Sequence, residues 1–221
     1  MSLLRAIVLL LALYPALGTG AEYVIPLDAE TDVRVLVFPP QNSAEGPWPL
    51  AVIIPAGSGQ EFIVRSQYWL GKELAARGWV IAVPIPRDND AFFGDDTNLA
   101  KVIAELQTQP SIDAGKSLLL GVSRGGTSAL AIAIRNPGSY FGVVAVPGRL
   151  KHTEPLPELK GLRVFLRIAD RDYFRWHKQL PEMSQRLESA GAKVNAALIS
   201  DTRHIFRIDW SELEPWLSSL K

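Results

Sequence analysis

Apolar positions in this chain gather in short unbroken runs, separated by stretches with helical spacing. The runs at 50–55, 79–84, 117–121 and 142–146 have the near-continuous apolar character of strands covered on both faces. Between them, 67–77, 97–107 and 126–135 read as helices, the first closed by Gly78 and the last by Asn136-Pro137. Two earlier segments, 23–27 and 33–39, read as an opening antiparallel pair with 28–32 as the turn region. A proline-punctuated connection at 147–161 leads to a strand at 163–169, a helix at 181–190, a strand at 193–200 and a final helix near 213–220. Strands and helices alternate without internal repeats, which predicts an α/β domain with a mostly parallel sheet of about eight strands and helices on both faces. The longest irregular stretch, 84–96, belongs where parallel-sheet proteins build their sites, and no connection is long enough for a lid domain.

The first 21 residues differ from this pattern: Arg5 precedes an apolar run from Ala6 to Leu13, Pro15 breaks it, and small residues continue to Ala21. That order predicts a secretory signal peptide over 1–21, with cleavage after Gly18 or Gly20 as alternatives to Ala21. Its apolar part is shorter than the roughly 20 residues of a membrane span, so no span is expected in the mature protein. Residues 22–221 then form one domain, exported to the periplasm or secreted, and a chain of that size buries most of its surface on folding. With no cysteine in the sequence, an exported protein here is held by its core rather than by disulfides, and thiolate zinc sites are excluded. Lys+Arg and Asp+Glu each number 23, so no net field draws the chain to nucleic acid.

The strongest chemical signal is Gly121-Val122-Ser123-Arg124-Gly125, placed where a strand runs into a helix. A serine on such a turn is held out as a nucleophile, and the positions two before and two after it must lack side chains for strand and helix to approach. The pattern alone also fits an ordinary glycine-rich turn; its strand-to-helix context favours the nucleophile. A serine needs a base, and the sequence has only His152, His177 and His204. His204 follows the last strand and precedes the last helix, the expected place for the base, with the other two read as surface or supporting residues. The acid is expected just after the strand at 163–169, where Asp170 and Asp172 compete. Asp172 is preferred, and Asp170 is read as capping the turn or pairing with Arg171 or Arg175. Backbone N–H groups of Arg124 and Ser58, the latter in the glycine-rich loop 55–59, are the expected oxyanion donors. Phe92, Phe93, Tyr173, Phe174 and Trp176 lie on the loops nearest this constellation and are candidates for a substrate pocket.

Two weaker signals are set aside. Ala114-Gly115-Lys116-Ser117 resembles the end of a phosphate-binding loop, but Pro110 stands where a glycine is required and a strand follows instead of a helix. Asp88, Asp90, Asp95 and Asp96 lack the glycine turn and terminal Glu of a calcium loop. No metal site is expected.

Residues 49–206 resemble the small single-domain α/β-hydrolases of the carboxylesterase and dienelactone-hydrolase type, including acyl-protein thioesterase-like enzymes and polyhydroxyalkanoate depolymerase relatives. The resemblance rests on Val122-Ser123-Arg124-Gly125-Gly126 with its alanine-rich helix and Asn136-Pro137 ending, on Phe141-Gly142-Val143-Val144-Ala145, and on Ala169-Asp170-Arg171-Asp172. It rests also on Glu188-Ser189-Ala190-Gly191-Ala192 and on His204 before Phe206. Two positions depart from the pattern: Ala56-Gly57 replaces a common His-Gly, and Arg124 replaces the Gln, His or Met that often follows the nucleophile. The resemblance implies an α/β-hydrolase fold and a serine hydrolase that cleaves a small-molecule ester or thioester without a cofactor. A peptidase or amidase using the same three residues, and a silent binding protein on the same scaffold, stand as alternatives.

Overall fold

The computed structural model describes residues 20–27, 32–41, 46–55, 68–85, 96–150 and 156–220. Eight strands, β1 (Ala21–Pro26), β2 (Asp32–Phe38), β3 (Trp48–Ile54), β4 (Val80–Ile85), β5 (Ile112–Gly121), β6 (Tyr140–Ala145), β7 (Arg163–Ala169) and β8 (Lys193–Ile199), form one sheet. Their spatial order is β1-β2-β4-β3-β5-β6-β7-β8. Strands β3 to β8 pair in parallel, whereas β1 and β2 join the edge antiparallel. Among the described residues five helices accompany it: α1 (Tyr68–Ala76), α2 (Asp96–Leu106), α3 (Arg124–Arg135), α4 (Leu180–Ser189) and α5 (Trp210–Ser218).

The period of two along each strand divides the core between the two faces of the sheet. Leu50, Val52 and Ile54 of β3, Leu119 of β5 and Val143 and Ala145 of β6 pack with α2, α3 and α4. Ala51 and Ile53, Leu118 and Leu120, and Val144 pack with α1 and α5 on the other face. Burial on both faces is why 50–54, 118–120 and 143–145 are apolar at every position.

Several boundaries differ from the sequence reading for local reasons. Strand β5 begins at Ile112, because Asp113 to Lys116 continue the extended chain on the exposed side; the sequence resembling a phosphate loop therefore lies within a strand. Helix α3 begins at Arg124, directly after the turn at Ser123. Helix α5 begins at Trp210 because Asp209 caps it, Oδ1 accepting the Ser211 N–H at 2.9 Å. A short 3-10 turn, Trp176–Gln179, leads into α4 and has no counterpart in the sequence reading. Strand β1 includes Ala21, the last residue of the expected leader, paired with Val37. Helix α1 closes through Gly78 at φ 85°, with the Trp79 N–H reaching back 3.2 Å to the Leu74 carbonyl. No helix among the described residues is long and apolar enough to cross a membrane.

Candidate active site

Ser123 stands between β5 and α3 with φ 56° and ψ −115°, a backbone conformation that costs a non-glycine residue about 1–3 kcal/mol. Its surroundings fix it there. The Ser123 N–H donates to the Pro147 carbonyl at 2.8 Å, the Gly125 N–H to Val122 at 2.9 Å, and the Thr127 N–H to the Ser123 carbonyl at 3.0 Å. A Cβ at Gly121 would meet the Gly125 carbonyl oxygen at 2.2 Å, and one at Gly125 would meet the Ile54 carbonyl oxygen at 2.1 Å. The flanking glycines are thus required by contact between strand, turn and helix.

The residues expected to act with Ser123 come from the carboxyl ends of β7 and β8. Ser123 Oγ lies 2.7 Å from His204 Nε2, and His204 Nδ1 lies 2.9 Å from Asp172 Oδ2. An ionised carboxylate only accepts, so Nδ1 carries the proton and Nε2 is left to accept from the serine hydroxyl. Asp172 is anchored by its other oxygen, which accepts the Phe174 N–H at 2.7 Å. Both His204 and Asp172 are buried, at 1% and 2% exposure. Such burial keeps water from competing for the hydrogen bonds that orient the imidazole.

Asp170 does a different job. Its Oδ2 accepts the Asp201 N–H at 3.0 Å and its Oδ1 the Thr202 N–H at 3.2 Å, while the Arg171 N–H donates to the Thr202 carbonyl at 3.1 Å. Arg171 also pairs with Asp201. These bonds tie the loop carrying His204 to the loop carrying Asp172. The backbone N–H of Asp201, with that of Thr202, holds the Asp170 carboxyl below its ordinary value of 3.8. The sequence reading had Asp170 capping a turn but not that the turn belongs to the His204 loop. The register of β7 on β8, with Ala169 opposite Ile199, is what brings them together.

Tyr173, Phe174 and Trp176 surround the imidazole, with ring centroids 5.2, 4.8 and 4.9 Å from that of His204. The Arg149 guanidinium lies 5.6 Å from the Trp176 ring centre. Arg124 is the first residue of α3, so its N–H is at the helix end beside Ser123, where the dipole favours negative charge. His177 lies in the 3-10 turn, its Nδ1 buried without a hydrogen-bond partner. Ser58, Phe92, Phe93, His152, the loops at 56–67 and 86–95, and most of the expected leader lie outside the described residues. Asp88, Asp90 and Asp95 do too. Among the described residues no cluster of His, Asp or Glu is arranged to hold a metal ion.

No family model and no curated protein sequence matches the chain. Solved structures do. An α/β-hydrolase from a Medee basin deep-sea metagenome library superposes with a TM-score of 0.69 at 16% identity, covering 91% of this chain and 98% of that one. The chain has the α/β-hydrolase fold. Within that fold, a carboxylesterase from Bacillus cereus matches with a TM-score of 0.68 at 14% identity, over 86% of this chain and 95% of its own. An acylaminoacyl peptidase matches with a TM-score of 0.61 at 14% identity, over 84% of this chain but only 37% of its own. The α/β-hydrolase fold of this chain is therefore close to whole-chain in the two hydrolases and a minor part of the peptidase.

Proposed function

We propose that the protein is a serine hydrolase that cleaves a carboxylic ester or thioester through an acyl-enzyme on Ser123. The observation that carries this reading is the continuous hydrogen-bonded path from Ser123 Oγ to His204 Nε2 at 2.7 Å and from His204 Nδ1 to Asp172 at 2.9 Å. Ser123 Oγ attacks the acyl carbon as its proton passes to His204 Nε2. The imidazolium, stabilised by the Asp172 carboxylate, returns that proton to the leaving oxygen or sulfur as its bond to the acyl carbon breaks. Water then attacks the acyl-serine, giving a proton to His204, which passes it to Ser123 Oγ as the bond between Oγ and the acyl carbon breaks and the acid leaves. Oxyanion donors are assigned to the N–H groups of Arg124 and Ser58. No step needs a cofactor.

The share of each relative that is matched supports ester over amide. The carboxylesterase corresponds to this chain nearly end to end, whereas the peptidase places its matching part within a much longer protein. Fluorophosphonate labelling tests the reading: the probe is expected on Ser123 of folded protein and absent from Ser123→Ala, and an unlabelled wild type overturns it. Assay of matched ester and amide analogues then separates esterase from amidase.

Export is part of the proposal. It rests on Arg5, the apolar run from Ala6 and the small residues ending at Ala21. Strand β1 supports processing after Gly18 or Gly20, either of which keeps the Ala21 to Val37 pairing, over processing after Ala21. Mass determination of protein recovered from the periplasm or medium reads the cleavage site, and a full-length mass overturns export with cleavage.

A further inference from the structure

Two of the rings around His204 are unusual for their exposure. Tyr173 is 67% exposed and Phe174 54% exposed, although the imidazole they touch is almost wholly buried. Covering His204 does not require this much aromatic surface, and large apolar side chains left in solvent beside a reactive group mark a place where something apolar binds. The rings hold one another in a compact set: Tyr173 to Phe174 at 4.4 Å and Phe174 to Trp176 at 5.8 Å, the latter stacked at 27°. The turn that carries them is fixed at both ends. The Phe174 N–H is bound to Asp172, and Arg175 takes a left-handed backbone with φ 61° before Trp176 enters the 3-10 turn.

Position decides which part of a substrate meets these rings. The group that gives a proton to the leaving atom must sit within hydrogen-bond reach of it. On the reading above that group is His204 Nε2, so the leaving group departs along the side of the imidazole and past what is packed on that ring. We propose that Tyr173, Phe174 and Trp176 form a leaving-group subsite, and that the preferred substrates are esters whose alcohol or thiol part carries an aromatic ring. The inference rests on the serine hydrolase reading for the word leaving group, but the aromatic subsite itself does not require turnover. Edge-to-face and offset contacts favour an aromatic ring over a saturated ring of similar size.

Benzyl acetate and cyclohexylmethyl acetate share an acyl group and have alcohols of similar size and acidity, so their kcat/KM ratio isolates the ring preference. Wild type is expected to favour the benzyl ester by about two- to tenfold. Phe174→Leu and Tyr173→Leu are expected to bring the ratio towards one, and Phe174→Tyr to keep it. Saturation-transfer NMR of benzyl alcohol against cyclohexylmethanol on Ser123→Ala reads the same preference without chemistry. A ratio of one in both measurements overturns the subsite. So does a rate that climbs only when substrate exceeds its solubility, without benzyl preference, which is the behaviour of an apolar surface that docks on aggregates. If Ser123 fails to react with fluorophosphonate while benzyl alcohol binds preferentially, the hydrolase reading falls and the aromatic subsite stands. If Ser123 reacts and no preference appears, the subsite falls alone.

Discussion

Asp172 Oδ2 lies 2.9 Å from His204 Nδ1, and Asp170, two residues earlier, directs its carboxylate to the backbone of Asp201 and Thr202 instead. One strand end thus supplies two carboxylates with separable tasks, one holding a proton position and one holding a loop. Asp172→Asn offers an amide N–H or a weaker acceptor to Nδ1, which permits the wrong tautomer at Nε2. On the proposed mechanism kcat for an activated ester is expected to drop by about 10³- to 10⁴-fold, with the fold intact by circular dichroism. Equal losses in Asp172→Asn and Asp170→Asn would mean that the two carboxylates share one task.

Asp170 lends itself to a graded test. Asp170→Ala removes both acceptors from the Asp201 and Thr202 N–H groups, freeing the loop that aims His204. A displacement of about 1 Å at a reacting group is enough to cost on the order of 10²-fold, and kcat is expected to fall by about 10- to 100-fold. Asp170→Asn keeps one acceptor and is expected to recover part of the rate. The pH dependence of stability follows from the lowered pKa of Asp170. A carboxyl held below its ordinary value in the folded state binds its proton more readily when unfolded. Its stabilisation is therefore full above the ordinary value and is lost as pH falls through the folded one. The melting temperature of wild type is accordingly expected to exceed that of Asp170→Asn near neutrality, and the difference to shrink in acid. A difference that stays constant down to about pH 2 would contradict the linkage.

The legibility of this chain varies with how local the determining physics is. The runs that became β3 to β6 could be read because strands buried on both faces admit apolar residues almost everywhere, which leaves a strong mark on sequence. Ser123 was legible because its backbone turn demands Gly121 and Gly125, and His204 because only three histidines exist and only one follows the last strand. The start of β5 was not, since Asp113-Ala114-Gly115-Lys116 forms no apolar run although its chain is extended. Tyr173, Phe174 and Trp176 could be placed near the site from the sequence, but the Asp170 clamp and the packing of those rings on His204 depend on which residues of β7 and β8 stand opposite each other, and register is not written in either strand alone.

The glycines of the turn give a prediction with an internal control. Gly125→Ala places a methyl 2.1 Å from the Ile54 carbonyl oxygen and 2.6 Å from that of Pro55, and both are backbone atoms that cannot swing aside. Strand end and helix start must part, at a cost of about 1–3 kcal/mol or more, and Ser123 is displaced with them. Gly138→Ala, where a Cβ meets nothing within 4 Å, is expected to leave both melting temperature and fluorophosphonate labelling near wild type. Normal labelling in Gly125→Ala would show that the turn tolerates a wider approach than these distances allow.

Arg167 offers a prediction about how the frame behind the site is held. It lies on β7 in an otherwise apolar run, buried, with its guanidinium 3.8 Å from the centre of the Phe165 ring. Its Nη1 and Nη2 donate to the Asn195 carbonyl and side-chain oxygens, each at 3.0 Å, and its Nε donates to Glu212 at 3.0 Å. One planar group thus joins β7, β8 and α5, the helix that follows the His204 loop. Because Glu212 is half exposed, the ion pair itself is partly screened by water, and the main loss on removal is the hydrogen bonding of a buried group. Arg167→Met retains apolar bulk but leaves Asn195 without these donors, and is expected to lose about 1–3 kcal/mol by urea denaturation. Arg167→Lys should recover little of it, since an ammonium cannot serve three directions in one plane. Labelling of Ser123 in the folded fraction should change far less than stability, because among the described residues no hydrogen bond or ion pair joins Arg167, Asn195 or Glu212 to Ser123, His204 or Asp172. A large loss of labelling at full stability would instead make Arg167 part of what positions His204.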